Sequence, residues 1–169
     1  MARSVGEYDG VLREIIHAFK YDGRRTLASP LGELLREAGG DLVNEASCAV
    51  PVPLHPWRRL HRGFNQAADL AARLPIPVVH ALWRRRMTAP QTGLPAGARR
   101  RNVRGAFCMS PLLRRHVIQS TIAGQIVVLV DDVRTTGATL DACAHVLTDA
   151  GAREVRALTV ARADTHSPQ

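Results

Sequence analysis

The sequence predicts an α/β fold, a mostly parallel sheet flanked by helices, and three observations carry that prediction. Val127 to Val130 are four consecutive branched aliphatics, the pattern of a strand buried on both faces of a parallel sheet. Apolar runs of this kind alternate along the chain with amphipathic helical stripes, the order that βα units produce. Directly after the run, polarity changes at Asp131-Asp132, and open α/β sheets bind ligands at the carboxyl ends of their strands.

The elements follow in order. Val11, Leu12, Ile15, Ile16 and Phe19 form one helical stripe that ends near Asp22-Gly23, and Leu27, Leu31, Leu34, Leu35 and Ala38 form a second that ends at Gly39-Gly40. Residues 1–40 thus read as a helical N-terminal part made of packing elements. Cys48 to Val52 reads as a short buried strand, Phe64 to Leu74 as a helix, and Val78 to Leu82 as a strand. Residues 84–101 hold the prolines and glycines of a long flexible loop. Ile126 to Val130 is the central strand, and Leu140, Ala144, Leu147 and Ala150 have the spacing of a helix running to Gly151. Val155 to Val160 is the last strand, and residues 164–169 read as a disordered tail.

Composition is that of one domain, over residues 1–163. The chain has 169 residues, 46% of them hydrophobic, enough to bury about two-thirds of its unfolded surface. No apolar run spans a bilayer and residues 1–10 lack the apolar core of a signal peptide, so no membrane insertion is expected and the default location is cytoplasmic. Cys48, Cys108 and Cys143 are odd in number and widely spaced, which fits reduced thiols and not a disulfide framework or a metal site. Seven histidines show no paired metal spacing, and only His55, near a cationic loop, invites mutation. The net charge is +8, with 23 Lys+Arg against 15 Asp+Glu, and all but one of the cations are arginine. Arginine's planar fork suits phosphorylated partners; the plain alternative is the amino-acid bias of a GC-rich genome.

Three segments carry chemistry. Asp131 and Asp132, when ionised, are acceptor-only groups able to receive hydrogen bonds from ribose hydroxyls. Thr135, Thr136, Gly137, Ala138 and Thr139 then form a small hydroxylated turn into a helix, where unpaired backbone N–H groups and the helix dipole favour a phosphate. The plain alternative is a strand–turn–helix with a solvated acid pair. The second segment follows the Cys48 strand: Pro53-Leu54-His55-Pro56, then Arg58, Arg59, Arg62 and Gly63 before Phe64-Asn65-Gln66. It is a candidate pyrophosphate loop with Arg62 as its best side chain, or a proline-stiffened connection. The third, Met87 to Ala98, is flanked by Arg84-Arg85-Arg86 and Arg99-Arg100-Arg101; it reads as a lid, a nucleic-acid contact or an idle linker.

Val127 to Leu140 resembles the phosphoribosyl pyrophosphate motif of type I phosphoribosyltransferases. Phe19-Lys20-Tyr21, Pro51 through Pro56, Arg62-Gly63-Phe64-Asn65-Gln66, Pro90-Gln91, and Arg99 through Asn102 to Phe107 are similar to the competence protein F (ComF) family. The resemblance implies a type I phosphoribosyltransferase-like, Rossmann-like fold. It implies Asp131 and Asp132 at the ribose and Mg²⁺, Thr135 to Thr139 at the 5′-phosphate, Arg62 and Gly63 at the pyrophosphate, and Gln91, Arg99 and Arg100 on the flexible loop. Family members commonly carry a cysteine-rich, zinc-ribbon-like segment ahead of this domain; these residues show no counterpart, so no zinc is expected. Some relatives place an acid where Thr135 stands, and threonine cannot take a proton at neutral pH, so no catalytic base is assigned.

Two function classes follow. One is an enzyme that displaces pyrophosphate from phosphoribosyl pyrophosphate with a nitrogenous base. The other is a non-catalytic competence or DNA-uptake accessory protein that binds a nucleotide or single-stranded DNA. The residues leave the oligomeric state open, a homodimer being a plausible form, and they leave open whether Arg134 pairs with Asp132, aids phosphate binding or faces solvent.

Overall fold

The aliphatic run at the middle of the sequence lies at the middle of the sheet. A computed structural model describes residues 1–21, 23–54, 63–86, 103 and 105–163. Its main sheet has four parallel strands in the order β1-β6-β5-β2, with β1 at Ala2–Glu7, β2 at Cys48–Pro51, β5 at Ile126–Arg134 and β6 at Glu154–Arg162. Val127 to Val130 are fully buried, as a strand covered on both faces requires.

Side chains along β5 alternate between two cores. Val128 and Val130 pack with Ile16 and Phe19 of α1 (Gly10–Tyr21), Leu31 and Leu35 of α2 (Ala28–Gly39), and Leu70 of a later helix. Val127 and Leu129 pack on the opposite face with Phe107, Cys143 and Leu147. A short α3 (Asp41–Asn44) leads into β2, and α4 (Gln66–Ala71) returns across the first face. A two-stranded antiparallel unit, β3 (Leu82–Arg84) with β4 (Phe107–Met109), stands beside the main sheet. The helices α5 (Arg115–Thr121) and α6 (Ala138–Asp149) follow among the described residues, α6 covering the second face between β5 and β6.

Several expectations change. Residues 1–40 are not wholly helical: Ala2–Glu7 forms β1, paired in parallel with β6. Its sequence is polar because it is an edge strand, so pairing and not hydrophobic pattern creates it. The expected strand at Val78 to Leu82 divides. Val78 makes a single bridge to Ala49, while Leu82 belongs to β3 and faces Met109. The Val79 N–H still donates to the Ala49 carbonyl at 2.9 Å, but the Ala81 N–H then turns back to the Val79 carbonyl at 2.8 Å, and that tight turn carries Leu82 away from β2. The helix expected over Phe64 to Leu74 is shortened to α4, because Asn65 caps it: its side-chain oxygen accepts from the Ala67 N–H at 3.2 Å. Arg84 is a buried strand residue and not part of a loop. Arg85 is tied to the same unit, its N–H donating to the Ala106 carbonyl at 3.0 Å; residues 87–101, with Gln91, Arg99 and Arg100, lie outside the described residues, as do His55, Arg62 and residues 164–169.

Glycine matters most where α2 crosses α4. A Cβ at Gly32 would fall on the Cβ of Arg73, inside any real contact distance. The two helices approach closely only because that side chain is absent.

Candidate functional site

The central strand runs further than its aliphatic run. β2 ends at Pro51, opposite Val130, and the Val52 N–H donates to the Val130 carbonyl at 2.9 Å. β5 continues through Asp131, Asp132, Val133 and Arg134, paired on its other side with β6. The acids therefore do not follow the strand. They occupy its last turn of pleat, where β2 has stopped and, among the described residues, β5 has no strand partner on that side. α6 leaves β5 over one face of the sheet while α4 leaves β2 over the other, which makes this edge a topological switch point.

Alternation places the two carboxylates on opposite faces. Asp132 continues the Val128–Val130 side and meets α1, where its Oδ1 lies 2.9 Å from Lys20 Nζ. Among the described residues this is the acid pair's one ion pair, and both side chains are about 85% buried. Burial by itself would lower the Lys20 pKa; the Asp132 charge and hydrogen bond, joined by Asp131, raise it above the ordinary lysine value. Asp131 continues the Val127–Leu129 side, where the charge of Arg84 and the thiol of Cys143 interact with it electrostatically. Its Oδ1 accepts the backbone N–H of Asp132 at 2.9 Å. Burial, and then repulsion from Asp132, push its carboxyl up to about 7 against the opposing pull of Lys20, that N–H and Arg84.

Thr135, Thr136 and Gly137 form the bend between β5 and α6. Gly137 occupies the N-cap of α6 with φ +79°, a left-handed conformation that suits glycine. No side chain caps this helix in the usual way; the nearest substitute is a 3.5 Å contact from the Ala138 N–H to Thr136 Oγ1. The next intrahelical bond runs from Asp141 N–H to the Gly137 carbonyl at 2.8 Å. The 12-residue helix thus starts without an N-cap side-chain bond, with the positive end of its dipole at this bend. Arg134 lies beside this bend: its Nε is 3.9 Å from the Cβ position of Gly137, next to the Asp141 carboxylate.

The chain that follows β2 reaches the same edge. Gly63 has φ +75°, and Asn65 ties the start of α4 to the end of β2 by donating from Nδ2 to the Val52 carbonyl at 3.1 Å. Between this connection and the β3–β4 unit lies an open cleft of about 650 Å³, lined by Pro51, Leu54, Gly63, His80, Trp83 and Ser110 among others. Gln66, at the first position of α4, is 1% exposed, and neither its side-chain oxygen nor its nitrogen has a partner among the described residues.

Asp131, Asp132, Thr135 to Thr139 and Gly63 are therefore brought to one sheet edge, while Arg62 and the loop residues lie outside the described residues. Lys20 and Arg84 were missed as neighbours of the acids. For Lys20 a signal existed, since it is the only lysine in the chain; for Arg84 none did, because β3 was read as ending before it. α1 is accordingly more than a packing element. The thiols of Cys48, Cys108 and Cys143 are free, Cys108 only half-buried, and no group of three metal-binding side chains occurs among the described residues. No described helix is long and apolar enough to cross a membrane.

Comparison with known proteins agrees with this arrangement. The family model for the phosphoribosyl transferase domain matches residues 60–168. Competence protein F of Haemophilus influenzae is 33% identical over 94% of this chain and 71% of its own length. The DNA utilization protein YhgH of Escherichia coli K12 is 34% identical over 94% of this chain and 70% of its own. Among solved structures, glutamine phosphoribosylpyrophosphate amidotransferase from B. subtilis superimposes with a TM-score of 0.50 at 23% identity, covering 83% of this chain and 30% of that one. The parallel sheet, the paired acids at the end of its central strand and these matches lead to one conclusion: the chain belongs to the competence protein F family and has its type I phosphoribosyltransferase-like domain.

Proposed function

We propose that the chain binds phosphoribosyl pyrophosphate with Mg²⁺ at the β5 edge, and that the reaction served is transfer of the phosphoribosyl group to a nitrogenous base with release of pyrophosphate. The observation that carries this reading is the coincidence, at one switch point, of two carboxylates with an uncapped helix start. Thr135 to Thr139 would receive the 5′-phosphate through backbone N–H groups and hydroxyls, and Asp131 and Asp132 would receive the ribose hydroxyls. Gly63 and the neighbouring Arg62 would face the pyrophosphate.

The acid pair suits a ligand-borne magnesium better than a preformed one. Its carboxylates point to opposite faces and Asp132 already holds Lys20, so few protein oxygens converge. Mg²⁺ usually keeps several waters and is held by one or two carboxylates plus substrate oxygens, which Asp131 and a pyrophosphate together can offer. Magnesium would there offset charge on the leaving group. Trp83 and His80 give the adjoining cleft an aromatic lining for a planar acceptor.

A second reading, of a nucleotide- or single-stranded-DNA-handling protein without turnover, is favoured by the names of the relatives, competence protein F and DNA utilization protein, and by the +8 charge. Pyrophosphate release measured against a panel of nitrogenous bases separates the two. Base-dependent release supports transfer. Absence of release with every base, together with salt-sensitive binding of single-stranded DNA, favours the second reading.

A further inference from the structure

The chain carries 23 cationic side chains of the lysine and arginine kinds, and only one, Lys20, is lysine. That one lies largely covered at the end of α1, its side chain 16% exposed and its Nζ 2.9 Å from Asp132 Oδ1. Arginine is present at every other cationic position, whether exposed as at Arg25 or buried as at Arg84 and Arg156. The contrast has a chemical reading. Guanidinium is a broad planar fork that engages a carboxylate with two parallel donors, as Arg25 does with Asp69, and it would occupy both oxygens of Asp132. An ammonium is a compact charge with three donors. One donor holds Asp132, and an ammonium with three donors leaves the carboxylate's other oxygen and its own other hydrogens available to a further partner.

A divalent cation next to a ribose does the same work: it offsets the charge of the acids and polarises the hydroxyls that they receive. We propose that Lys20 is the resident cation of the sugar site, neutralising Asp132 and donating to the ribose hydroxyl that Asp132 accepts, so that a 5-phosphorylated ribose binds without a divalent metal. Mg²⁺ is then required only when a pyrophosphate accompanies the sugar. The inference rests on the sugar-phosphate reading of the β5 edge and adds to it a division of labour. The ammonium serves the ribose on the α1 face, and the metal serves the leaving group on the Asp131 face.

The single lysine also supplies the probe. Protein grown with ¹³C-lysine gives one lysine side-chain resonance, and ribose 5-phosphate is titrated into the whole chain twice, with EDTA and with Mg²⁺, while calorimetry reads the affinity. The expected result is a shift of the Lys20 resonance on sugar binding in EDTA, with an affinity that Mg²⁺ changes by less than about twofold. Lys20→Met is expected to lose about tenfold or more of that affinity in EDTA, the size of a charged hydrogen bond, and to recover part of it when Mg²⁺ is added. Lys20→Arg retains the charge and is expected to bind more weakly than wild type. Circular dichroism establishes that each variant is folded, and the wild-type titrations decide the matter even if Lys20→Met is not. Sugar binding by wild type that requires Mg²⁺, or an unmoved Lys20 resonance at saturation, overturns the assignment of Lys20 and leaves the sugar site standing. No binding of ribose 5-phosphate in either buffer overturns both.

Discussion

Replacing Asp131 by asparagine will stabilise the ligand-free protein at alkaline pH while removing a group the ligand needs. The Asp131 carboxyl is held up to about 7, first by burial and second by the neighbouring Asp132 charge. Folding therefore increases its affinity for a proton. Between the ordinary value of 3.8 and about 7, the native state binds more protons than the unfolded chain, so this group's contribution to stability declines as pH rises through that window and reaches its full cost above it. At about 1.36 kcal/mol for each tenfold change in proton affinity, the interval corresponds to about 4 kcal/mol. Asp131 is half-buried and titrates with Asp132, so solvent and coupling absorb part of that. The expected gain for Asp131→Asn is about 2–4 kcal/mol near pH 8 and under about 2 kcal/mol near pH 5. Asparagine keeps an oxygen to accept the Asp132 N–H, so the local turn survives. Urea unfolding followed by circular dichroism at the two pH values gives both numbers. A variant no more stable than wild type near pH 8, or a gain equal at both pH values, would refute the assigned burial and its sign.

Other perturbations test the remaining geometry. Gly137→Ala puts a side chain into a backbone with φ +79° but into open space, its nearest neighbour being Asp141 Oδ2 at 3.8 Å; it is expected to cost about 1–2 kcal/mol by strain alone, measured by urea unfolding, and to weaken phosphoribosyl pyrophosphate binding in the same sample. Gln66→Met removes two buried polar atoms that have no partner among the described residues, at nearly constant volume, and is expected to raise stability by about 1–3 kcal/mol; a loss instead would show that the amide has a partner in solution. Gly32→Ala drives a methyl group into the Cβ of Arg73 and is expected to destabilise by about 1–3 kcal/mol, with a melting temperature equal to wild type counting against the close α2–α4 crossing.

The parts of the fold that could be read in the sequence are those whose physics is local. Val127 to Val130 read as a covered parallel strand because the run is short, rich in β-branched side chains and ended by a change of polarity, and the Thr135–Gly137 bend read as a helix start because Leu140, Ala144 and Leu147 repeat at helical spacing. β1 was hidden because its residues earn their place by pairing with β6 along an edge and not by an apolar pattern. β4, three residues long, is too short for any periodicity. The acid pair was placed just past its strand, whereas β6 extends β5 as far as Arg134; a polar strand end is invisible when only hydrophobicity marks the strand. The division of the two acids between the faces of the sheet follows from that extension alone. The ion pair from Lys20 to Asp132 joins distant parts of the chain, and no spacing rule reports such a contact. What the sequence did show was the anomaly of a single lysine.

The account turns on whether the β5 edge is a phosphoribosyl site. The most direct measurement is calorimetric titration of phosphoribosyl pyrophosphate with Mg²⁺ into the wild-type chain and into an Asp131→Asn/Asp132→Asn variant shown to be folded. Saturable one-to-one binding by wild type and its loss in the variant are expected; folded wild type that releases no heat and shows no binding, or a variant that binds as tightly as wild type, would rule out a phosphoribosyl site at this edge.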